Sequence, residues 1–178
     1  MVRKAFVTSI GEVTTDLCVW ALKRNGFEVK LVYDEKTTLA QKLQDIYNRA
    51  TDDFIRVDAD VVVNKNCKPT METFNWWTQY LTYDWFKQDV THGGVQVIKK
   101  EALPILRKHI QEFMNIDRPE TMISRVAEFH NPRRMTSAPV IMGIQNYKGD
   151  VGRVKTTKMQ RKYYDLYDWE LAGRLEQL

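Results

Sequence analysis

Between Lys4 and Asn64 the apolar residues keep changing period, from the alternation of a strand to helical spacing and back, and this switching limits the possible folds more than any other feature. "KAFVTSIG" is rich in β-formers and ends at small polar residues and Gly11, as a buried strand feeding a loop does. Leu17, Cys18, Ala21 and Leu22 then share one helical face behind Thr14 or Thr15, either of which can cap, and Asn25-Gly26 supplies a stop. "FEVKLVYD" alternates as a second strand and ends at Asp34. Leu39, Leu43, Ile46, Tyr47 and Ala50 recur at helical spacing behind the candidate cap Thr38, and "FIRVDADVVVN", residues 54–64, forms a third strand. Strand, helix, strand, helix, strand with short connections predicts a sheet with right-handed crossovers, in which ligands collect beyond the carboxyl ends of the strands. Asp34 and Asp58 both fall at that edge.

The second half is less regular. "KPTMETFNWWTQYLTYDWF" predicts a helix after Pro69 and is dense in aromatics. "GGVQVIKKEALPILRKHIQEF" reads as a strand and then a helix that carries Pro104 in its first turn, where proline is tolerated. "RPETMISRVAEF" is a short helix with Met122, Ile123, Val126 and Ala127 inward, "APVIMGIQNY" is a final strand, and the tail from Tyr163 has helical character. A length of 178 residues suits one domain over 1–178 with a real core, and there is no internal repeat or low-complexity linker.

Hydrophobic residues at 43% and charged residues at 28% place the chain among ordinary globular proteins, and no apolar stretch is long enough to cross a bilayer. The N-terminus runs directly into a strand and lacks the features of a signal peptide, so a cytosolic (cytoplasmic) protein is expected. Cys18 and Cys67 lie far apart and fit no metal-ligand spacing, which predicts reduced thiols and no zinc. The net charge of +4 favours anionic partners, and most of the excess lies in residues 148–162, "KGDVGRVKTTKMQRK". That run is either a solvated face or tail, or an anion-binding lid.

The two aspartates at the end of "FIRVDAD" are the candidate chemistry. Alternation along a strand places Asp58 and Asp60 on one side with Ala59 opposite. Two like charges there are unfavourable unless a cation lies between them, and hard oxygen ligands suit Mg2+ or Mn2+. The alternative is a turn after Val57 with both aspartates solvated.

"ATDDFIRVDADVVVN" resembles the segment of GT-A glycosyltransferases, especially the family 2-like group, in which a helix leads to a strand and then Asp-Ala-Asp. "VYDEKT" resembles their second-strand aspartate, "GGVQVIKKEAL" the strand and basic turn before the acceptor region, and "PETMISRVAE" the acceptor-site helix. Taken in order these motifs cover about residues 4–147. The resemblance implies an α/β GT-A fold: a Rossmann-like, nucleotide-binding three-layer sandwich on a mostly parallel mixed sheet, with residues 148–178 as a basic lid and tail. It implies a metal-dependent transfer of a sugar from a nucleoside-diphosphate sugar, a UDP- or GDP-sugar, with Mn2+ or Mg2+ as cofactor.

By the same resemblance Thr8 and Ser9 line the nucleotide pocket, Asp34 contacts base or ribose, and Lys42 holds the family's basic position. Asp58 lies near ribose and metal, Asp60 is the direct ligand, and Arg153, Lys155 and Lys158 close over the diphosphate. Each also has a plain reading: Thr8 and Ser9 finish a strand, Asp34 is a turn residue, Lys42 is a solvated helix residue. Two departures stand out. The family's acidic pair is Glu120-Thr121 here, so the base is Glu120, with Asp89 as a second candidate, or no base exists. Where many relatives complete the metal shell with a histidine this chain has Gln145, and His130 or His92 are substitutes. Of Phe74, Trp76, Trp77, Tyr80, Tyr83, Trp85 and Phe86, most are expected in the core, leaving one or two as a stacking platform.

Two other classes compete. Nucleotidyl transfer uses a related architecture and the same metal chemistry, but starts from a glycine-rich, Arg/Lys-containing loop after the first strand, and "TSIGEVTTD" has one glycine. A nucleic-acid-binding module would be led by the basic segment. The ideas merge in an enzyme that glycosylates modified nucleic acid, as phage enzymes of this type do.

Overall fold

A computed structural model describes residues 3–12, 14–65, 67, 75–84, 89–131 and 138–146. Strand β1 (Arg3–Ser9), helix α1 (Thr15–Arg24), β2 (Phe27–Tyr33), α2 (Leu39–Arg49) and β3 (Phe54–Asp58) follow the alternation expected. Then come β4 (Val61–Val63), β5 (Trp77–Asp84), β6 (Asp89–Ile98), α3 (Leu103–His109), α4 (Pro119–His130) and β7 (Ala138–Gln145). Short 3-10 turns flank α3 at Lys100–Ala102 and Ile110–Phe113.

The strands form one sheet in the order β2-β1-β3-β6-β5-β7-β4. It is mixed: β1 pairs parallel with β2 and β3, and β5 with β7, while β3–β6, β5–β6 and β4–β7 are antiparallel. The parallel character is thus concentrated in β2-β1-β3, where right-handed crossovers were expected. Cys18, Ala21 and Leu22 of α1 pack on one face with Ala5, Val7, Ile55 and Val57. Leu43, Ile46 and Tyr47 of α2, Leu106 of α3, and Ile123 and Ala127 of α4 pack on the other with Phe6, Phe54, Trp77 and Ile98. The result is three layers, α/β/α.

Local chemistry explains most boundaries. Thr38 forms a capping box with Gln41, its hydroxyl accepting from Gln41 N at 3.2 Å while the Gln41 side chain accepts from Thr38 N at 2.8 Å. Thr14 sits at the N-cap of α1 without capping it, because its hydroxyl donates instead to Ala59 O at 2.7 Å. Pro104 does lie in the first turn of α3.

Two expectations are corrected. The run "FIRVDADVVVN" is two strands rather than one: β3 stops at Asp58, Ala59 and Asp60 turn, and β4 pairs with β7 at the far edge. The break is fixed by Ala59 N donating to Thr8 O at 3.0 Å and Asn146 N to Asp60 O at 2.7 Å, which hold the turn to two different strands. In the aromatic stretch, Trp77–Asp84 is strand β5, with Trp77 and Tyr80 buried against the core. The expected helix start after Pro69, the rings of Phe74, Trp85 and Phe86, the basic segment 148–162 and the tail all lie outside the described residues.

Candidate active site

At the carboxyl ends of β1 and β3 the sheet opens into two cavities. The smaller, ≈ 260 Å³, is lined by Thr8, Ser9, Ile10, Glu12, Leu39, Lys42, Asp58 and Asp60. The larger, ≈ 490 Å³, lies over β5, β6 and α4, and its walls include Asp58, Asp84, His92, Glu120 and Gln145. Among the described residues, Asp58 is the one common to both linings.

The smaller cavity is held by short bonds from neighbouring elements. Glu12 accepts from Ser9 Oγ at 2.7 Å and from Ile10 N at 2.8 Å, which closes the loop after β1 on itself. Lys42 reaches in from α2, is buried, and donates from Nζ to Ser9 O at 2.7 Å. Burial lowers its pKa, while Glu12 and Asp34 pull it back up. Asp58 Oδ1 accepts from Thr8 Oγ1 at 3.0 Å and is ion-paired to Arg56 Nη2. Arg56 is 1% exposed and also donates to Gln96 Oε1 at 2.9 Å and Thr8 Oγ1 at 3.2 Å.

Asp60 reaches the same cavity by way of the turn rather than by strand alternation. Asn146 stabilises that turn in the left-handed region, φ 63°, which asparagine tolerates. Its backbone holds Asp60 O, and its side chain donates to the buried Asp84 at 2.9 Å. Gln145 lies between the two cavities: its Nε2 is 3.4 Å from Asp60 Oδ2, and its Oε1 accepts from Thr82 Oγ1 at 3.2 Å.

On the larger side, Glu120 stands in the first turn of α4. A helix start favours an ionised carboxylate, yet burial wins: it pushes the Glu120 carboxyl above its ordinary range, with Asp58 adding to the rise, against its own backbone N–H and the Arg56 guanidinium. Glu120 Oε2 is buried with no hydrogen-bond partner among the described residues. Glycines let β6 come close: a Cβ on Gly94 would collide with Val61 Cγ2 and lie 3.4 Å from Asp58 Oδ2.

The structure therefore brings together Thr8, Ser9, Lys42, Asp58 and Asp60 on one side, and Asp58, Glu120, His92 and Gln145 on the other. Asp34 lines neither cavity: it accepts from Lys36 N at 2.7 Å in a turn and reaches the site only through its charge, which acts on Lys42. Asp89 is exposed at the start of β6 and lines neither cavity. His130, exposed at the end of α4, lies beside His109 with ring centroids 5.7 Å apart and is likewise outside both linings. Arg153, Lys155 and Lys158 lie outside the described residues. Sequence reasoning missed Arg56 and Asp84. Arg56 had a signal, a charge in an apolar run on the same strand face as Asp58. Asp84 had none, because its burial depends on Asn146.

No group of three His, Cys, Asp or Glu side chains gathers at metal-binding spacing among the described residues. A hard divalent ion needs fewer: it retains waters and binds through one or two carboxylates plus substrate phosphates. Asp58, whose Oδ2 has no partner among the described residues, and Asp60 line one cavity and so fit that donor set.

No family model matches the chain, and no curated protein matches it. Solved structures do. A hypothetical transferase from Thermus thermophilus superposes with a TM-score of 0.52 at 9% identity, over 70% of this chain and 77% of that one. A putative glucose-1-phosphate thymidylyltransferase from Bacillus anthracis, in complex with a sucrose, superposes with a TM-score of 0.50 at 11% identity, over 80% and 88%. At such identities the likeness is one of fold, and the seven-stranded mixed sheet with its helices is that of GT-A and nucleotidyltransferase-like proteins. No helix among the described residues is long and apolar enough to cross a membrane.

Proposed function

We propose that the chain is a metal-dependent glycosyltransferase that moves a sugar from a UDP- or GDP-sugar to a polar hydroxyl acceptor. The observation that supports it best is the place of Asp58 between a small cavity with a lysine and a second aspartate, and a larger one with a carboxyl of raised pKa. Mn2+ or Mg2+ held by Asp58 and Asp60 would supply a Lewis acid for the leaving diphosphate. Thr8, Ser9 and Lys42 bind the nucleotide end of the donor, and the buried Lys42 ammonium offsets phosphate charge in a poorly hydrated place.

The larger cavity takes the sugar and the acceptor hydroxyl. Among the described residues its lining consists of glycines and polar or charged side chains, which suits hydroxyl-rich groups. Glu120 takes the acceptor's proton at its carboxylate, an inverting transfer, and its raised pKa brings its basicity nearer to neutral pH than that of an exposed glutamate. Nucleotidyl transfer is the weaker reading, because the loop that would wrap a triphosphate carries the Glu12 carboxylate turned onto its own backbone.

Calorimetry with UDP and GDP, with and without Mn2+ or Mg2+, tests the proposal. Binding of at least one nucleotide is expected to need the metal and to be lost in Asp60→Ala, which should keep its fold. Equal affinity in chelator would overturn the metal dependence.

A further inference from the structure

We propose that Arg56 is a positioning residue that holds Asp58 closed to a lone cation, so that the site takes its divalent ion together with the nucleoside diphosphate. The proposal rests on the metal-dependent reading above and adds an order of assembly to it.

Arg56 lies on the same face of β3 as Phe54 and Asp58, between an apolar layer and the mouth of the cavities. Nothing about folding asks for an arginine there. Replacing a buried ion pair by apolar side chains is often neutral or stabilising, so a guanidinium 1% exposed beside Phe54 calls for another reason. Its bonds supply one. Nη1 is fixed by Gln96, Nη2 by Thr8 and Asp58, and Thr8 in turn donates to the same Asp58 oxygen. Asp58 Oδ1 is therefore occupied twice, and Oδ2 remains.

A divalent ion arriving alone gains one oxygen from Asp58 and meets a fixed positive charge directly behind it. That repulsion offsets much of what the Asp58 carboxylate offers, so a lone ion is held more weakly than by an unpaired aspartate. A diphosphate changes the balance, since it brings oxygens to the ion and negative charge to face the guanidinium. Metal and nucleotide then each strengthen the other's binding, by the same factor.

Manganese titration of the intact protein, read by the electron-paramagnetic-resonance signal of free Mn2+, separates the outcomes when run with no nucleotide, with UDP and with GDP. In the wild-type protein Mn2+ alone is expected to bind weakly, and one of the two nucleotides to strengthen it about tenfold or more. In Arg56→Met, with Asp58 released and the opposing charge gone, Mn2+ alone should bind about tenfold more tightly and the gain from nucleotide should shrink. Arg56→Gln should do the same with less change of shape, and the tightening should vanish when Asp58→Asn is added. A merely structural arginine would give the opposite, weaker binding in a loosened site. Folded variants whose affinity for Mn2+ is unchanged or weaker would overturn the proposal alone, as would collapse of the fold in both variants. No Mn2+ binding by the wild-type protein with either nucleotide would overturn the metal-dependent reading as well.

Discussion

The two cavities that meet at Asp58 are built in different ways. The smaller is made by residues 8–60, from β1, α2 and the end of β3, and most of its polar side chains are spent on protein partners: Ser9 on Glu12, Lys42 on Ser9 O, Thr8 on Asp58. The larger gathers residues from 58 to 145, on β5, β6, α4 and β7, and leaves more of its chemistry unspent. Glu120 Oε2 has no partner among the described residues, and Arg118 and Arg125 on its wall make no ion pair among them. A preformed wall suits a ligand that is the same in every turnover, and unspent groups suit one whose protons and charges change during reaction. Under the proposed function these are the nucleotide and the reacting sugar and acceptor.

The largest effect should come from the unspent side. Glu120→Gln is expected to lower turnover about a hundredfold or more, the scale of a lost general base, with UDP or GDP affinity nearly unchanged. A base must be deprotonated to act, and burial raises the Glu120 pKa, so activity should rise with pH along a limb placed above the ordinary carboxylate range. The variant should lose that limb. Stability gives an independent check of the same shift. A carboxyl with a raised folded pKa binds its proton more tightly when folded, so its contribution to stability falls as pH rises from the unfolded value through the folded one. Glu120→Gln should therefore lose less stability than the wild-type protein over that interval, as thermal melts across pH would show. If turnover of Glu120→Gln stays near normal, or the product retains the donor's anomeric configuration, the larger cavity has no base at that place.

A smaller effect tests the larger cavity's wall where it lies against Asp58, the residue shared with the preformed side. In Gly94→Ala the new methyl collides with Val61 and comes into ordinary contact with Asp58 at 3.4 Å. Overpacking of this kind costs about 1–3 kcal/mol, and urea unfolding should show it as a shifted midpoint at constant slope. Val61 directly follows Asp60, so relief of the clash shifts the turn that carries Asp60. Mn2+-dependent nucleotide binding should weaken along with stability. Lost stability with unchanged binding would show that this wall is more adaptable than its bonds suggest.

The same contrast decides what could be read in the sequence. The α/β alternation of the first 64 residues follows from local period, caps and turn residues, and it put Asp58 at the carboxyl edge of the sheet, while Thr8, Ser9 and Lys42 were expected at the pocket only through the resemblance. Even there, strand alternation misplaced the cause: Asp60 joins Asp58 through a turn held by Thr8 and Asn146, and Asn146 is 86 residues away in sequence (146 − 60). On the larger side the signals are weak because the elements pair at long range. Trp77–Asp84 is a strand because β6 and β7 flank it, and nothing in its own aromatic spacing separates strand from helix. Asp84 and Asp89 face each other across β5 and β6, yet Asp84 is buried and Asp89 exposed, because Asp84 is also flanked by β7 and bonded by Asn146.

The smallest expected effect lies where the two cavities touch. Gln145 is lined up by Thr82, which is fully buried and donates to its Oε1 at 3.2 Å, so that Nε2 faces Asp60 Oδ2 at 3.4 Å. That second distance is long for a hydrogen bond and implies a weak contact. Gln145 thus steadies Asp60 in the absence of a cation and can yield when an ion takes that oxygen. Thr82→Val keeps the shape and removes the hydroxyl, leaving a Gln145 oxygen without its donor, at a cost of about 1 kcal/mol in stability. The side chain of Gln145 then gains the freedom to turn its oxygen toward a cation bound at Asp60. Mn2+ affinity in the presence of UDP or GDP should change by no more than about threefold, well within the energy of one such bond. A tenfold or larger loss would mean that Gln145 belongs to the cation's own shell, with the two cavities chemically joined at that residue rather than merely adjacent. Gln145→Ala, measured the same way, settles which: it should match Thr82→Val if the amide only steadies Asp60, and exceed it clearly if the amide oxygen binds the ion.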